Sequence, residues 1–177
     1  QRETNGELGD FCVQCHAPMA LQDGLTTDGL NLAELDAKYR GVTCYFCHQA
    51  DAVEGTHNNP VRLANDDVMR GSIPDPVSGA PHGSEYSKLL DRSTPESSEL
   101  CGACHDVVTP DGLHLERTYL EYPESLFAHE TPQEFQSCAR CHMPGRTGKA
   151  AEMGPERRLV SHAMPGVALS PIHSRPQ

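Results

Sequence analysis

Four copies of one pentapeptide constrain this 177-residue chain more than any other feature. Each copy has cysteine at its first and fourth positions and histidine at its fifth. In chain order, motifs 1 to 4 occupy residues 12–16, 44–48, 101–105 and 138–142. The C-x-x-C-H pattern is typical of covalent attachment of a c-type haem. Positions i, i+3 and i+4 of a helix share a face, so two thiols and one imidazole can meet the same flat ring.

The motifs contain all eight cysteines of the chain: Cys12, Cys15, Cys44, Cys47, Cys101, Cys104, Cys138 and Cys141. A disulfide framework gives no reason for histidine to follow every second cysteine. A zinc site needs paired C-x-x-C units or a distant pair of histidines, and four separate C-x-x-C-H units match neither pattern. We therefore predict four haems c, whose proximal iron ligands are His16, His48, His105 and His142.

The composition is poor in core-forming residues. Leu, Ile, Val and Phe make up about 18% of the chain, Trp is absent, and the net charge is -11, which is in the range of disordered chains. Four large apolar haems, tethered by thioethers, would replace the missing core, so the apo chain is expected to be unfolded. We predict one domain over residues 1–177 with a small, loop-rich, haem-organised multihaem cytochrome c fold. A few short α-helices and little or no sheet are expected.

The acidic charge argues against nucleic acid as a partner. A basic redox protein or divalent cations would suit this surface better, although acidity also serves solubility alone. No stretch approaches the roughly 18 apolar residues of a membrane span. The sequence starts at Gln1 without Met and is interpreted as a mature chain without its export signal. Because haem c attachment occurs outside the cytoplasm, we predict a periplasmic or extracellular location.

Helix signals are short and scattered. Asn31 with Glu34, Ser84, and Thr94 with Pro95 are candidate helix starts. Helices are predicted over residues 31–40 and 84–91, from 94 into motif 3, over parts of 115–126, and from Thr131 through motif 4. Residues 49–83 contain many Gly, Pro and Asn and are predicted to be mostly loop. The tail from residue 145 is predicted to be extended.

Six histidines lie outside the motifs: His57, His82, His114, His129, His162 and His173. Each of the four irons needs one more axial ligand, and six histidines are available for these four positions. This supply favours haems with two axial histidines. Methionine is the rival ligand. Met164 lies two residues from His162, so either of the two could bind iron. Met143 follows His142 directly and cannot reach the opposite face of its own haem.

Residues 98–108, 115–119 and 141–144 resemble bacterial multihaem cytochromes c of the bis-histidine kind, and the resemblance extends loosely over 11–167. In that family a Pro-His-Gly ahead of the third motif and a His-x-[Phe/Met]-Pro-Gly after the last one provide distal ligands. The matching residues are His82 and His162. The resemblance also implies His57 and, ahead of the last motif, His129. His114 is the substitute for His129, whose spacing of nine residues to Cys138 is longer than expected.

The resemblance implies electron transfer without catalysis, because iron with two axial histidines cannot bind substrate. Some similar tetrahaem cytochromes polymerise into extracellular nanowires, in which a terminal haem takes a histidine from the next subunit. We therefore expect a filament subunit whose partner is itself, with His173 or another loop histidine as the donor in trans. A soluble periplasmic electron shuttle is the alternative. Redox proteins or extracellular acceptors would be the further partners.

A second class of function is a small multihaem reductase of nitrogen or sulfur oxides. Such an enzyme needs a haem with an open position, and usually a lysine or a lone proximal ligand in the motif. All four motifs end in histidine and the supply of distal histidines is ample, so no enzyme is predicted. A haem-based sensor would need a partner domain, for which the sequence contains no signal.

Overall fold

The computed structural model describes residues 2–3, 5–77, 82–128 and 135–165. In these residues six short α-helices form, none longer than seven residues. They are α1 (Val13–His16), α2 (Pro18–Gln22), α3 (Cys44–Gln49), α4 (Glu96–Gly102), α5 (Thr118–Glu121) and α6 (Cys138–His142). Isolated helices shorter than about 12 residues are marginal in water. These helices therefore depend on contacts with the rest of the chain.

Eight short strands form four two-stranded sheets in the described part of the chain. The strands are β1 (Ala50–Val53), β2 (Val61–Leu63), β3 (Val68–Gly71), β4 (Gly83–Tyr86), β5 (Val107–Val108), β6 (His114–Glu116), β7 (Gly145–Lys149) and β8 (Glu156–Val160). Each sheet joins one strand to the next along the chain. Three sheets are antiparallel, whereas β3 and β4 are parallel, with Val68 opposite Gly83.

The predicted fold class is wrong in its sheet content. Of the described residues, 28% are helical and 20% are in strands, so the chain is not mostly loop with little or no sheet. Residues 49–83, predicted as loop, contain β1, β2 and β3. Strands of two to five residues are too short to show a period-2 pattern in sequence.

Two further segments differ from the sequence predictions, and a third agrees with its prediction. The helix predicted over 84–91 is replaced by β4 and the 3-10 turn Lys88–Leu90, and that over 31–40 by the 3-10 turns Leu32–Glu34 and Ala37–Tyr39. Part of 115–126 is helical, in α5 and the 3-10 turn Tyr122–Glu124. In residues 145–165, the described part of the tail, the chain is extended in β7 and β8, which pair as a hairpin.

Two further helix starts were predicted from capping signals, at Thr94 and at Thr131. The start near Thr94 is confirmed within two residues, because α4 begins at Glu96 and leads into motif 3. The start at Thr131 lies outside the described residues. Helix α6 begins only at Cys138, and its cap is Ser137, whose hydroxyl accepts a hydrogen bond from the Arg140 N–H at 3.0 Å.

The polypeptide buries few large apolar side chains. Among the described residues the buried hydrophobic ones are Val13, Ala17, Met19, Ala20, Phe46, Ala50, Ala103 and Ala139. Five of these eight are alanine, while 14 large hydrophobic side chains are exposed. The largest packed group surrounds Val13, with Leu32 and Tyr39 against it. In the described residues no helix is long and apolar enough to cross a bilayer.

Gly102 of motif 3 is required by the packing of α4 against α5. A Cβ at this position would lie 2.1 Å from Cγ of Tyr119. We predict that Gly102→Ala destabilises the haem-loaded protein by about 1–3 kcal/mol, the usual cost of overpacking. Denaturant unfolding measures the change. Gly71→Ala is the matched control, because a Cβ there meets no atom within 4 Å; equal stability of the two variants would contradict the prediction.

Candidate haem-binding sites

Each motif forms a helical turn that brings its two cysteines and its histidine to one side. Motif 1 overlaps α1, motif 2 begins α3, and motif 4 fills α6. Motif 3 continues the last turn of α4, where the N–H groups of Cys104 and His105 bond to the Cys101 carbonyl at 3.2 and 3.1 Å. All four motifs therefore have the local geometry that haem c attachment needs.

Motif 3 lies in the middle of the other motifs. In the chain without haem, the neighbouring Cys104 thiol lowers the pKa of Cys15. The neighbouring Cys101 thiol lowers the pKa of the Cys138 thiol to about 6. The charge of Cys47 also acts on both thiols of motif 3. None of the eight cysteines forms a disulfide, so the thiols of different motifs are close neighbours without being linked.

Three of the four proximal histidines have their Nδ1 atom engaged. His48 Nδ1 lies 2.5 Å from the Arg70 carbonyl and His142 Nδ1 lies 2.8 Å from the Pro165 carbonyl. His105 Nδ1 faces the Glu116 carboxylate at 3.2 Å. Histidines that bind a metal almost always donate their other ring N–H to a carbonyl or carboxylate. Nε2 is then free to bind iron, which is the arrangement a proximal haem ligand requires.

The imidazoles of His48 and His162 face each other with their ring centroids 6.2 Å apart and an interplanar angle of 30°. Two imidazoles on opposite sides of one metal, each bound at about 2 Å, hold their nitrogens about 4 Å apart and their centroids about 6 Å apart. The observed separation fits two axial ligands of one iron. The geometry favours His162 over Met164, because the His162 ring is the one in contact with the His48 ring.

The surroundings of His48 fix its orientation. The fully buried Gln49 side chain donates to the carbonyls of Asp66 and Val68 at 3.0 and 2.8 Å and accepts from the Asp66 N–H at 3.1 Å. These bonds hold β3 against α3. Because Arg70 belongs to β3, the same contact places its carbonyl at His48. Position 49, directly after motif 2, is thus a supporting residue.

His57 stands in a loop that docks on motifs 1 and 3. Asn58 and Asn59 adopt left-handed φ values of 57° and 54°. The Asn59 N–H bonds to the Ala103 carbonyl at 2.6 Å, and the Asn59 side chain donates to the Gln14 carbonyl. The Asn58 side chain exchanges hydrogen bonds of 2.7 and 3.0 Å with the backbone of Val108. This loop therefore places His57 near motifs 1 and 3 of the chain.

In the described part of the chain, the remaining candidate ligands do not contact a second histidine ring. His82 is exposed, and its Nδ1 lies 2.8 Å from the Gly83 carbonyl at the start of β4. His16 and His114 are also exposed. His129 and His173 lie outside the described residues. Among the described histidines, His48 and His162 are the pair whose rings are in contact.

The sequence analysis did not identify two further residues that support the haem-binding motifs. Glu116 belongs to residues 115–119, which resemble the multihaem cytochromes. Only the pairing of β5 with β6 shows that its partner is His105. The Arg92 guanidinium donates to the carbonyls of Arg140 and Met143 at 2.8 and 2.9 Å and so clamps the end of α6. No sequence signal connects Arg92 with motif 4, because these partners lie about 50 residues away.

The chain also fits haem c better than a metal ion bound directly by side chains. Within the described ranges, no group of three or more His, Cys, Asp or Glu residues could hold a metal ion. The helical motifs, the engaged Nδ1 atoms and the facing imidazoles of His48 and His162 instead fit covalently attached haem c. The scarcity of large buried side chains agrees with a fold that the cofactors complete.

Residues 2–49 match the family described as cytochrome c554 and c-prime. The matched stretch contains motifs 1 and 2 and covers about a quarter of the chain. Neither curated proteins nor solved structures yielded a significant match. The family match supports a c-type cytochrome, with haem c as cofactor and electron transport as the activity.

The facing pair gives a spectroscopic prediction. His162→Ala should convert one haem of the loaded protein from low-spin to high-spin, because the iron opposite His48 loses an axial ligand. Electron paramagnetic resonance (EPR) and visible spectra measure the change. Met164→Ala is the control for the rival ligand and should leave all haems low-spin. A high-spin signal in Met164→Ala, with an unchanged spectrum in His162→Ala, would reverse the assignment.

The carboxylate at His105 gives a second prediction. A carboxylate acceptor makes imidazole a stronger donor to iron and stabilises the oxidised form. We expect Glu116→Gln to raise the reduction potential of the motif 3 haem by about 30–60 mV, a three- to tenfold change in the equilibrium. Spectroelectrochemical titration measures it. Glu121→Gln, an exposed carboxylate on α5, is the control; equal shifts would show only a general charge effect.

Proposed function

We propose that this chain binds four haems c, each with two axial histidines, and transfers electrons among them without catalysing a reaction. The facing imidazoles of His48 and His162, 6.2 Å between centroids, are the observation that carries the proposal. The convergence of the motifs on motif 3 supports it further, since electron transfer between haems needs them close together. The match of residues 2–49 to a c-type cytochrome family agrees with this activity.

The proposed ligand set combines geometry with sequence. His162 binds the iron of motif 2 opposite His48. His57, His82 and His129 are the proposed distal ligands of the other three haems, with His114 as the substitute for His129. The loop contacts of Asn58 and Asn59 assign His57 to motif 1 or motif 3. These assignments fill both axial positions of every iron.

The polypeptide has three tasks in this function. The eight cysteines tether the haems, the histidines close the axial positions against substrate, and the acceptors at Nδ1 hold each imidazole in one orientation. Haem c supplies the one-electron redox couple when it is bound. His48 and His142 face neutral carbonyls, whereas His105 faces the carboxylate of Glu116. The lowest potential of these three haems is therefore expected at motif 3.

We further propose that the subunits assemble into an extracellular filament, and a soluble periplasmic shuttle is the alternative. Six histidines outside the motifs for four distal positions leave two spare donors for a bond between subunits, which favours association. The net charge of -11 opposes it. Cryo-electron microscopy of the secreted, unfractionated protein distinguishes the two assemblies. Helical filaments with a continuous series of haems support the conduit, whereas monomers with every ligand from their own chain support the shuttle.

The haem count and the ligation are tested together. Intact mass spectrometry and the pyridine haemochrome assay should give four haems per chain. The visible spectrum should be low-spin, and carbon monoxide should leave the reduced spectrum unchanged, because every iron has two histidine ligands. A carbon monoxide complex in the wild-type protein would reveal an open iron and favour a reductase. A count below four would refute the tetrahaem assignment.

A further inference from the structure

Three arginines meet beside motif 4 in a protein whose net charge is -11. They line a cavity of about 310 Å³, together with Ser72 and Val160. Arg92 precedes α4, Arg140 lies between the two cysteines of motif 4, and Arg158 belongs to β8. The three cations come from segments far apart in the sequence, so the cluster is a product of the fold.

The guanidinium groups of Arg92 and Arg158 are close neighbours. A Cβ on Gly145 would lie 3.0 Å from Nη1 of Arg92 and 3.3 Å from Nε of Arg158. Burial lowers the pKa of Arg92, and the charges of Arg158 and Arg140 lower it further. Glycine at position 145 leaves room for both guanidinium groups at this point. Positive charges this close repel each other and so favour an anion.

The protein compensates these charges only in part. The Asp91 carboxylate acts on Arg92, whose guanidinium also donates to two carbonyls, and Arg140 donates to the Phe135 carbonyl at 3.1 Å. In the described part of the chain, none of the three arginines forms an ion pair with a carboxylate. Asp91 also lines the cavity, but its two oxygens accept hydrogen bonds from the Tyr86 hydroxyl at 2.8 Å and the Ser93 N–H at 2.9 Å. Three guanidinium groups around one cavity can bind an anion that has several oxygens.

The position of the cavity identifies the anion. Ser72 follows β3, whose Arg70 carbonyl faces His48, and Val160 is two residues before His162. Two residues that line the cavity are thus close in sequence to the residues at the two proposed axial ligands of the motif 2 haem. The propionates of a haem c project from the edge opposite its thioethers. Arg140 lies between Cys138 and Cys141, at the thioether edge of the motif 4 haem, and is therefore poorly placed for that haem's own propionates.

We propose that Arg92, Arg140 and Arg158 bind a propionate of the haem held by His48 and His162. This inference rests on the proposed function, since it requires a haem at motif 2. Arg–carboxylate pairs are short, charge-assisted and often bidentate. The cluster raises the reduction potential of that haem by disfavouring the positive charge of oxidised iron. A free oxyanion such as inorganic phosphate could bind the same arginines by the same chemistry. The experiment therefore has to distinguish it from the propionate.

The test compares two adjacent arginines of β8. Arg158 faces the cavity, whereas Arg157 pairs with Asp75, as the alternation of side chains along a strand requires. Arg158→Gln and Arg157→Gln remove the same charge one residue apart. EPR-monitored redox titration of the haem-loaded variants resolves the low-spin haems. Arg158→Gln should shift one haem toward its oxidised form by about tenfold, or 59 mV for a one-electron couple.

The shifted signal should be the low-spin signal that His162→Ala removes. Arg158→Lys should restore most of the wild-type equilibrium, and Arg157→Gln should leave it unchanged. Arg140→Gln is a second cavity variant in case Arg158→Gln loses haem, and its shift should have the same direction. An unshifted equilibrium in the cavity variants, or an equal shift in Arg157→Gln, would overturn the proposal.

Calorimetry with inorganic phosphate distinguishes the two sources of the anion. The wild-type haem-loaded protein should show no saturable phosphate binding, because the propionate already fills the cavity. Saturable binding that Arg158→Gln abolishes and Arg157→Gln retains would identify a free-anion site and overturn the propionate assignment. A wild-type protein with no haem at motif 2 would instead refute the proposed function, independently of the arginine variants.

Discussion

The hydrogen bonds between motif 3 and its neighbours are the interactions on which the rest of the structure depends. The Cys138 N–H of motif 4 bonds to the Ser98 hydroxyl of α4 at 3.2 Å, the Asn59 N–H bonds to the Ala103 carbonyl, and Tyr119 packs on Gly102. A chain whose buried apolar residues are mostly alanine has no large core to orient its segments. Polar contacts at one short turn therefore hold together segments from both halves of the sequence.

The sequence predicted those features whose signals are local. The motifs are defined by adjacent residues, and the start of α4 follows from Thr94 and Pro95. His162 was a candidate from its neighbours, although only the fold selects it over Met164 as the residue that faces His48. The strands were missed because β3 and β4 are only four residues each and pair across a long connection. Glu116 and Arg92 act on distant partners, which no local pattern reveals.

Charge is distributed unevenly over this acidic chain. Arg62 and Arg70 have carboxylate partners at the surface, and such exposed pairs add little stability. The arginines beside motif 4 lack such partners and surround a cavity instead. The acidic surface and the basic cavity have separate roles under our proposals. The surface charge affects association with other molecules, and the cavity affects the redox equilibrium of one haem.

The distance in sequence between His48 and His162 has a consequence for maturation. In a chain translocated from its N-terminus, motif 2 reaches the haem-attachment machinery long before residue 162 has crossed the membrane. The haem joined there would spend this interval with one axial position open to water or to a foreign ligand. Completion of the C-terminal hairpin β7–β8, which directly precedes His162, would then close that position and mark the end of assembly.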